Sequence, residues 1–236
     1  MIYLYHLLTT LVSPIVVLLF PAYALFRMNK RKGIGHHFGR VPVAPEPEKK
    51  TLWIHALSVG EAVAAAPFLR RVREQRPGLR LVVSVTTDAG YTTALAKLDF
   101  VDRIFFHPLD CLPFSLAAIR RIRPDLFVLT DTGFWPGLLD LLTRRGTAVF
   151  VYNGRISERS LSRYLKIRSF MAPLFNRLTA ICMQNETGRN ALLQLGVEEN
   201  RIRVLGDPKF DALEPLPEKE RLRLRDIFKI HPEYLV

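Results

Sequence analysis

The residues most able to do chemistry follow the apolar run TLWIHA (51–56), where the chain reads Leu57-Ser58-Val59-Gly60-Glu61. A glutamate at a helix N-terminus above a sheet stays ionised and can take a proton from a substrate hydroxyl. Gly60 would let a substrate come close to the backbone. The same four residues, Ser58 to Glu61, also spell a capping box, in which the serine caps the helix and the glutamate returns the bond. Both readings stand at this level. Further polar clusters occur at Thr86-Thr87-Asp88-Ala89-Gly90, Pro108-Leu109-Asp110, Asp131-Thr132-Gly133-Phe134-Trp135-Pro136, Asn153-Gly154-Arg155-Ile156-Ser157-Glu158 and Gln184-Asn185-Glu186-Thr187. No Gly-x-Gly-x-x-Gly, Walker or Gly-x-Ser-x-Gly sequence occurs, which argues against a dinucleotide site, a P-loop ATPase and an α/β-hydrolase. No His/Asp/Glu cluster has metal-ligand spacing, so no metal is expected.

These clusters are spaced by a regular alternation. Strand-like runs fall at 51–56, 79–85, 103–107, 125–130, 147–152, 178–183 and 201–206, each short and rich in Val, Ile and aromatics. Helix-like segments lie between them near 61–76, 88–98, 112–123, 135–145, 158–173 and 186–195. Seven strands alternating with helices predict an α/β fold, a Rossmann-like parallel sheet with helices on both faces. In such sheets function gathers at the carboxyl ends of the strands, where each polar cluster falls.

The chain has 236 residues, 49% of them hydrophobic, and a formal charge of +12 at pH 7. It is a folding chain with core enough to need no disulfide or metal. Cys111 and Cys182 are far apart, lack a Cys-x-x-Cys partner and read as reduced thiols. The positive charge is unevenly placed. Residues 2–26 carry no Asp, Glu, Lys or Arg, and Arg27, Lys30, Arg31, Lys32 and Arg40 follow at once. Charge after the apolar stretch, with no clear cleavage site, reads as an uncleaved membrane anchor with its basic flank in the cytoplasm. Pro14 and Pro21 leave open a kinked span or a helix half-immersed at the interface, and a buried helix of the globular body is the plainer alternative. The anionic membrane surface is the expected partner of the basic flank. Nucleic acid is not expected, because the other arginines are scattered and no binding motif occurs.

The stretch Trp53-Ile54-His55-Ala56-Leu57-Ser58-Val59-Gly60-Glu61 resembles the signature His-(Ala/Ser)-Val-Ser-Val-Gly-Glu of the bacterial 3-deoxy-D-manno-octulosonic acid (Kdo) transferases. The order continues along the chain. Thr86-Thr87-Asp88-Ala89-Gly90 is similar to the family's Thr-Thr-x-Thr-Gly, and Phe134-Trp135-Pro136 to its Glu-Thr-Glu-(Leu/Phe)-Trp-Pro-Asn. Asn153-Gly154-Arg155-Ile156-Ser157-Glu158-Arg159-Ser160 resembles Asn-(Ala/Gly)-Arg-(Leu/Ile)-Ser-x-Arg-Ser, and Gly206-Asp207-Pro208-Lys209-Phe210-Asp211 resembles Gly-Asn-x-Lys-Phe-Asp. The resemblance implies the N-terminal half of a two-Rossmann-domain (GT-B) glycosyltransferase. Such an enzyme moves Kdo from CMP-Kdo to a tetra-acylated lipid A precursor on the cytoplasmic face of the inner membrane, without a cofactor. It implies Glu61 as the catalytic base. It places Ser58, Gly60, Thr86, Thr87, Asp131, Thr132, Arg155, Ser157, Lys209 and Asp211 in substrate binding, with Arg155 and Lys209 the best phosphate contacts.

Two departures from the family pattern bear on activity. Gly133 and Gly137 stand where the pattern has glutamate and asparagine. After Asp211 the chain has a linker-like stretch, a charged helix-like segment (218–229) and the start of another strand, so the donor-binding domain of longer relatives is expected to be missing. The domains expected are an anchor helix (1–27), a basic flank and linker (28–50), the glycosyltransferase N-terminal domain (51–211) and an interdomain linker with the start of a second domain (212–236). Three functions compete: the acceptor-binding half of a Kdo transferase, a membrane-tethered acceptor-binding module without turnover, and a different GT-B sugar-nucleotide enzyme such as an epimerase.

Overall fold

The computed structural model describes residues 1–27, 33–130, 135–208, 210 and 217–228. Seven strands form one sheet: β1 (Thr51–Ala56), β2 (Arg80–Val85), β3 (Arg103–Phe106), β4 (Leu126–Thr130), β5 (Ala148–Gly154), β6 (Ala180–Met183) and β7 (Ile202–Val204). Their order is β3-β2-β1-β4-β5-β6-β7, and every pairing is parallel. The order reverses between β1 and β4, which makes their carboxyl ends the topological switch point where open α/β sheets bind ligands.

The helices are α1 (Ile2–Arg27), α2 (Ile34–His37), α3 (Val59–Gln75), α4 (Asp88–Lys97), α5 (Leu112–Ile122), α6 (Pro136–Arg144), α7 (Glu158–Lys166), α8 (Arg168–Phe175), α9 (Glu186–Leu195) and α10 (Glu218–Phe228). The single helix expected over 158–173 is two, broken at Ile167, whose backbone leaves the helical region. Local chemistry starts several of the others. Thr87 and Asn185 accept from the backbone N–H of Gly90 and Gly188 as N-caps, and Gly196 ends α9 with a left-handed φ of 89°.

The core has two layers. On one face Trp53, Phe127, Leu129, Val149, Val151 and Ile181 pack under α5, α6, α8 and α9. On the other, Ile54, Leu81, Val83 and Val85 pack under α3 and α4. β1 and β2 are buried at every residue, as strands covered on both faces must be. In β5 buried and half-buried residues alternate, because Phe150 and Tyr152 face the side that α3 and α4 cover only in part. α1 does not stand apart from this body. It packs against α5 and α6. Cys111 and Cys182 are free thiols.

Candidate active site

Glu61 sits in the first turn of α3, 8% exposed, at the β1/β4 switch point. Its Oε2 accepts the Leu57 backbone N–H at 2.5 Å and the Thr130 hydroxyl at 3.1 Å, and its Oε1 accepts the Ser58 hydroxyl at 3.2 Å. Donors on both oxygens are what an ionised carboxylate satisfies. The capping box is only half made. Ser58 stands at the N-cap position but makes no side-chain cap bond, and its hydroxyl turns to Glu61 instead. Glu61 returns a bond to the backbone one residue before the expected one. The serine therefore serves the carboxylate rather than the helix. A Cβ added at Gly60 would meet nothing within 4 Å, which leaves the N-terminal turn of α3 open to a ligand.

The loop after β2 closes beside this turn. A Cβ at Gly90 would lie 3.5 Å from the Ser58 carbonyl carbon and 3.7 Å from the Val59 nitrogen, ordinary contact distances, so the two segments meet here, while the 2.9 Å approach to the Thr87 hydroxyl is what disfavours a side chain. Thr87 is spent on capping α4, and the hydroxyl of Thr86 is buried. On the other side Thr130 ends β4 and shares its proton between Glu61 and the His55 carbonyl, 2.8 Å away. Thr130 was not among the expected residues, although it directly precedes Asp131. Asp131, Thr132 and Gly133 lie outside the described residues, as do Lys209 and Asp211.

Behind Glu61 is a buried aromatic stack. His55 and His107 lie face to face with centroids 3.7 Å apart, and Trp135 packs on both at 5.7 and 4.8 Å. Ser84 links them. Its hydroxyl accepts from Trp53 Nε1 at 2.8 Å and lies 3.1 Å from His55 Nδ1 and 3.0 Å from His107 Nδ1. His55 Nδ1 also meets the Ser84 carbonyl at 3.1 Å, which can only accept. The donor balance therefore makes His55 the Nδ1–H tautomer and lets the Ser84 hydroxyl donate to His107 Nδ1. Burial pushes His55 down to about 3 against the opposing bond from the Ser84 carbonyl. Burial, with the neighbouring His55 and His37, holds His107 well below the ordinary histidine value. Both rings are neutral at physiological pH.

Gly137, one of the two departures, has a packing reason. Asp110 accepts the backbone N–H of Gly137 at 2.9 Å and of Leu138 at 2.7 Å, and so caps the start of α6. A Cβ at Gly137 would come within 2.8 Å of Asp110 Oδ1 and 3.1 Å of the Tyr5 ring. An asparagine does not fit there while Asp110 and Tyr5 hold this position.

A second polar site lies at the ends of β5 and β6. Arg155, Ile156, Ser157, Ser160, Gln184, Asn185 and Thr187 line a recess of about 460 Å³. Asn153 takes a left-handed φ of 63° at the β5 bulge and accepts from Gln184 Nε2 at 2.6 Å. Arg155 and Ser157 are exposed at its mouth, and Ser157 caps α7 through the Ser160 N–H. By strand spacing the recess is about 10–14 Å from Glu61. The structure thus gathers Ser58, Gly60, Glu61, Thr86 and Thr87 in one corner and Arg155 and Ser157 in another along the same sheet edge. Among the described residues no group of three His, Cys, Asp or Glu side chains could hold a metal ion.

A family model described as 3-deoxy-D-manno-octulosonic-acid transferase (kdotransferase) matches residues 32–212. A 3-deoxy-D-manno-octulosonic acid transferase of Haemophilus influenzae is 27% identical over 212 residues, covering 89% of this chain and 49% of that protein. One from Chlamydia trachomatis serovar D is 30% identical over 163 residues, covering 69% of this chain and 38% of its own length. The chain therefore spans about half or less of the relatives it matches. Among solved structures, the UDP-GlcNAc 2-epimerase of Neisseria meningitidis bound to UDP-GlcNAc superposes with a TM-score of 0.50 at 15% identity, over 77% of this chain and 52% of that one. At that identity the likeness concerns the fold, that of a GT-B N-terminal domain.

Proposed function

Because the chain belongs to the 3-deoxy-D-manno-octulosonic-acid transferase family, we propose that it supplies the acceptor-binding half of Kdo transfer, with Glu61 as the base. The donor is CMP-Kdo, and the acceptor is a lipid A precursor at the cytoplasmic face of the inner membrane. The observation that carries this reading is the carboxylate at the β1/β4 switch point, held by Leu57, Ser58 and Thr130 beside the open turn at Gly60. Glu61 takes the proton of the acceptor hydroxyl as that oxygen attacks the anomeric carbon of Kdo. The new C–O bond forms as the bond to the CMP phosphate breaks, and the phosphate leaves with the electron pair. Arg155 and Lys209 are the residues we assign to phosphate, on the family resemblance of the motifs that carry them. The segment 51–211 is the glycosyltransferase N-terminal domain, and donor contacts belong to the further half of the longer relatives.

The test is Kdo incorporation into lipid A precursor by this chain fused to the C-terminal half of the Haemophilus influenzae relative. Transfer by the fusion, lost on Glu61→Gln, is the expected result. A fusion that binds CMP-Kdo and the lipid yet transfers nothing would favour the alternative of a binding module without turnover.

A further inference from the structure

The sheet has another charged end, where its strands begin. There Arg80, Arg103 and Arg121 line a recess of about 310 Å³ whose wall is the segment Val41 to Val43. Val41 and Val43 are buried in the core layer under α5, so that wall is fixed. Arg80 is the first residue of β2, Arg103 the first of β3, and Arg121 lies in the last turn of α5. By strand rise the recess is about 15–20 Å from the carboxyl ends of the strands, apart from both polar corners described above.

Arg80 is out of place in a strand covered on both faces. It is 4% exposed, and its guanidinium carries five N–H donors. Among the described residues that group makes no hydrogen bond: Nε and Nη1 are buried without a partner, and Glu46 Oε1, 3.3 Å from Nε, is an ion-pair contact only. Glu46 is also shared, since its Oε2 meets Lys49 Nζ at 3.2 Å. Asp102, beside Arg103, is taken by Arg73 at 2.6 Å and by the Leu81 N–H at 2.7 Å. Arg103 is exposed and donates to the Asp102 carbonyl at 2.7 Å. Arg121 is exposed, and among the described residues its side chain has no hydrogen-bond or ion-pair partner. Three guanidinium groups against the one carboxylate of Glu46 leave the recess an excess of two positive charges. Burying a guanidinium with its donors unfilled is costly, and an anion rich in acceptors relieves that cost. A phosphate monoester carries about −1.5 to −2 near pH 7 on three acceptor oxygens, which matches the excess in charge and the forked donors in shape.

We propose that this recess binds the phosphate group of a small phosphate monoester, with Arg80 as its buried anchor and Arg103 and Arg121 holding it from the rim. The phosphate takes the place of Glu46 at Arg80, and Lys49 keeps the released carboxylate. The rest of the recess leaves room for the organic group that carries the phosphate. The site stands at the end of the sheet opposite Glu61 and does not depend on what Glu61 does.

The experiment titrates the 236-residue chain, held in nonionic detergent in chloride buffer, with inorganic phosphate and with glycerol 3-phosphate by calorimetry. Saturable binding at one site per chain is expected. Arg121→Ala removes an exposed side chain without a partner, so the fold is kept, and binding should weaken about tenfold, the scale of one charge-assisted bond. Arg121→Lys should recover part of it. Glu46→Gln removes the competing carboxylate and should tighten binding. Arg120→Ala, exposed one residue away and outside the recess, should change binding by less than about twofold, because a solvated charge is screened. Arg80→Gln should abolish binding; if that variant does not fold, the Arg121 and Glu46 variants still decide. Lack of saturable binding overturns the proposal. Equal losses in Arg120→Ala and Arg121→Ala also overturn it, since the attraction would then be diffuse. A last titration, with short-chain phosphatidic acid, separates two sources of the same chemistry. Affinity equal to that of glycerol 3-phosphate supports a soluble ester as the ligand, and tighter binding that Arg121→Ala still weakens supports a lipid headgroup.

Discussion

The two polar corners of the sheet edge are built differently. Around Glu61 each donor is fixed by the backbone or a strand end: Leu57 by the turn into α3, Ser58 by the N-cap position and Thr130 by β4. Behind them lies a stack of buried His55 and His107 with half-buried Trp135. The recess at β5 and β6 is lined by exposed Arg155 and Ser157, and beside it buried Asn153 takes a left-handed φ. A group that moves a proton needs a fixed geometry before substrate arrives, whereas a group that meets a charged ligand can be ordered by it. Under the proposed function the first corner carries the chemistry and the second the binding.

The sharpest way to break that assignment is Glu61→Gln. Glutamine keeps the size and can still accept from Leu57 through its oxygen, while the Ser58 hydroxyl turns to accept from the new amide. Turnover of the fused enzyme should fall about 10²-fold or more, the scale of a lost general base. Stability in urea should change by less than about 1 kcal/mol. Loss of stability with turnover per folded molecule preserved would make Glu61 a cap alone.

The stack behind it predicts a pH dependence. His55 and His107 have folded values below the unfolded one near 6.5, so the unfolded chain takes up protons that the folded chain refuses. Their contribution is whole above about pH 6.5 and is lost as pH falls below it, at up to about 1.4 kcal/mol per pH unit for each ring. Denaturation at pH 7.5 and 5.5 should show a loss of about 3 kcal/mol from the pair. His107→Phe keeps the ring stack and should halve that loss. An unchanged pH slope in the variant would show that the rings are not held neutral.

The sheet was legible because β-branched and aromatic runs recur between amphipathic segments; every strand start falls within two residues of its expected position. The split at Ile167 was not, since both helices carry one continuous apolar period and only a backbone rotation parts them. Ser58 and Glu61 were legible as a pair by spacing, but which of them served the other was not. Thr130 looks like an ordinary strand residue, and its partner lies across a strand pairing that no local pattern reports. The His55–His107 contact and the Asp110 cap join residues far apart in sequence, so only the topology brings them together. α1 was legible as apolar; its docking rests on Tyr5 and His6, whose polar ends matter only once Asp110 and Asp140 face them.

Thr130→Val tests whether the fixed donors position the base. The change keeps the shape and strand propensity but removes the bond to Glu61 Oε2 and to the His55 carbonyl. The fused enzyme should lose about tenfold or more in kcat with KM little changed, in line with the lower end of the roughly 1.5–3 kcal/mol for one hydrogen bond to a charged group. Thr130→Ser, which restores the hydroxyl, should recover most of it. Recovery of stability without turnover in the serine variant would assign Thr130 to the fold alone.

The smallest effect belongs to the open corner. Arg155 is exposed at the mouth of the recess, so Arg155→Ala removes no core packing and should alter stability by less than about 0.5 kcal/mol. If the recess meets phosphate, the loss appears in binding: KM should rise several-fold, and more at low salt than at high salt, because screening already weakens the contact in the parent. kcat should stay within about twofold, since the proton-moving corner is two strand spacings away. Arg155→Lys keeps the charge but not the forked donor geometry, and should fall between parent and alanine. A fall in kcat with KM unchanged would move Arg155 from binding into the transition state and erase the division of labour between the two corners.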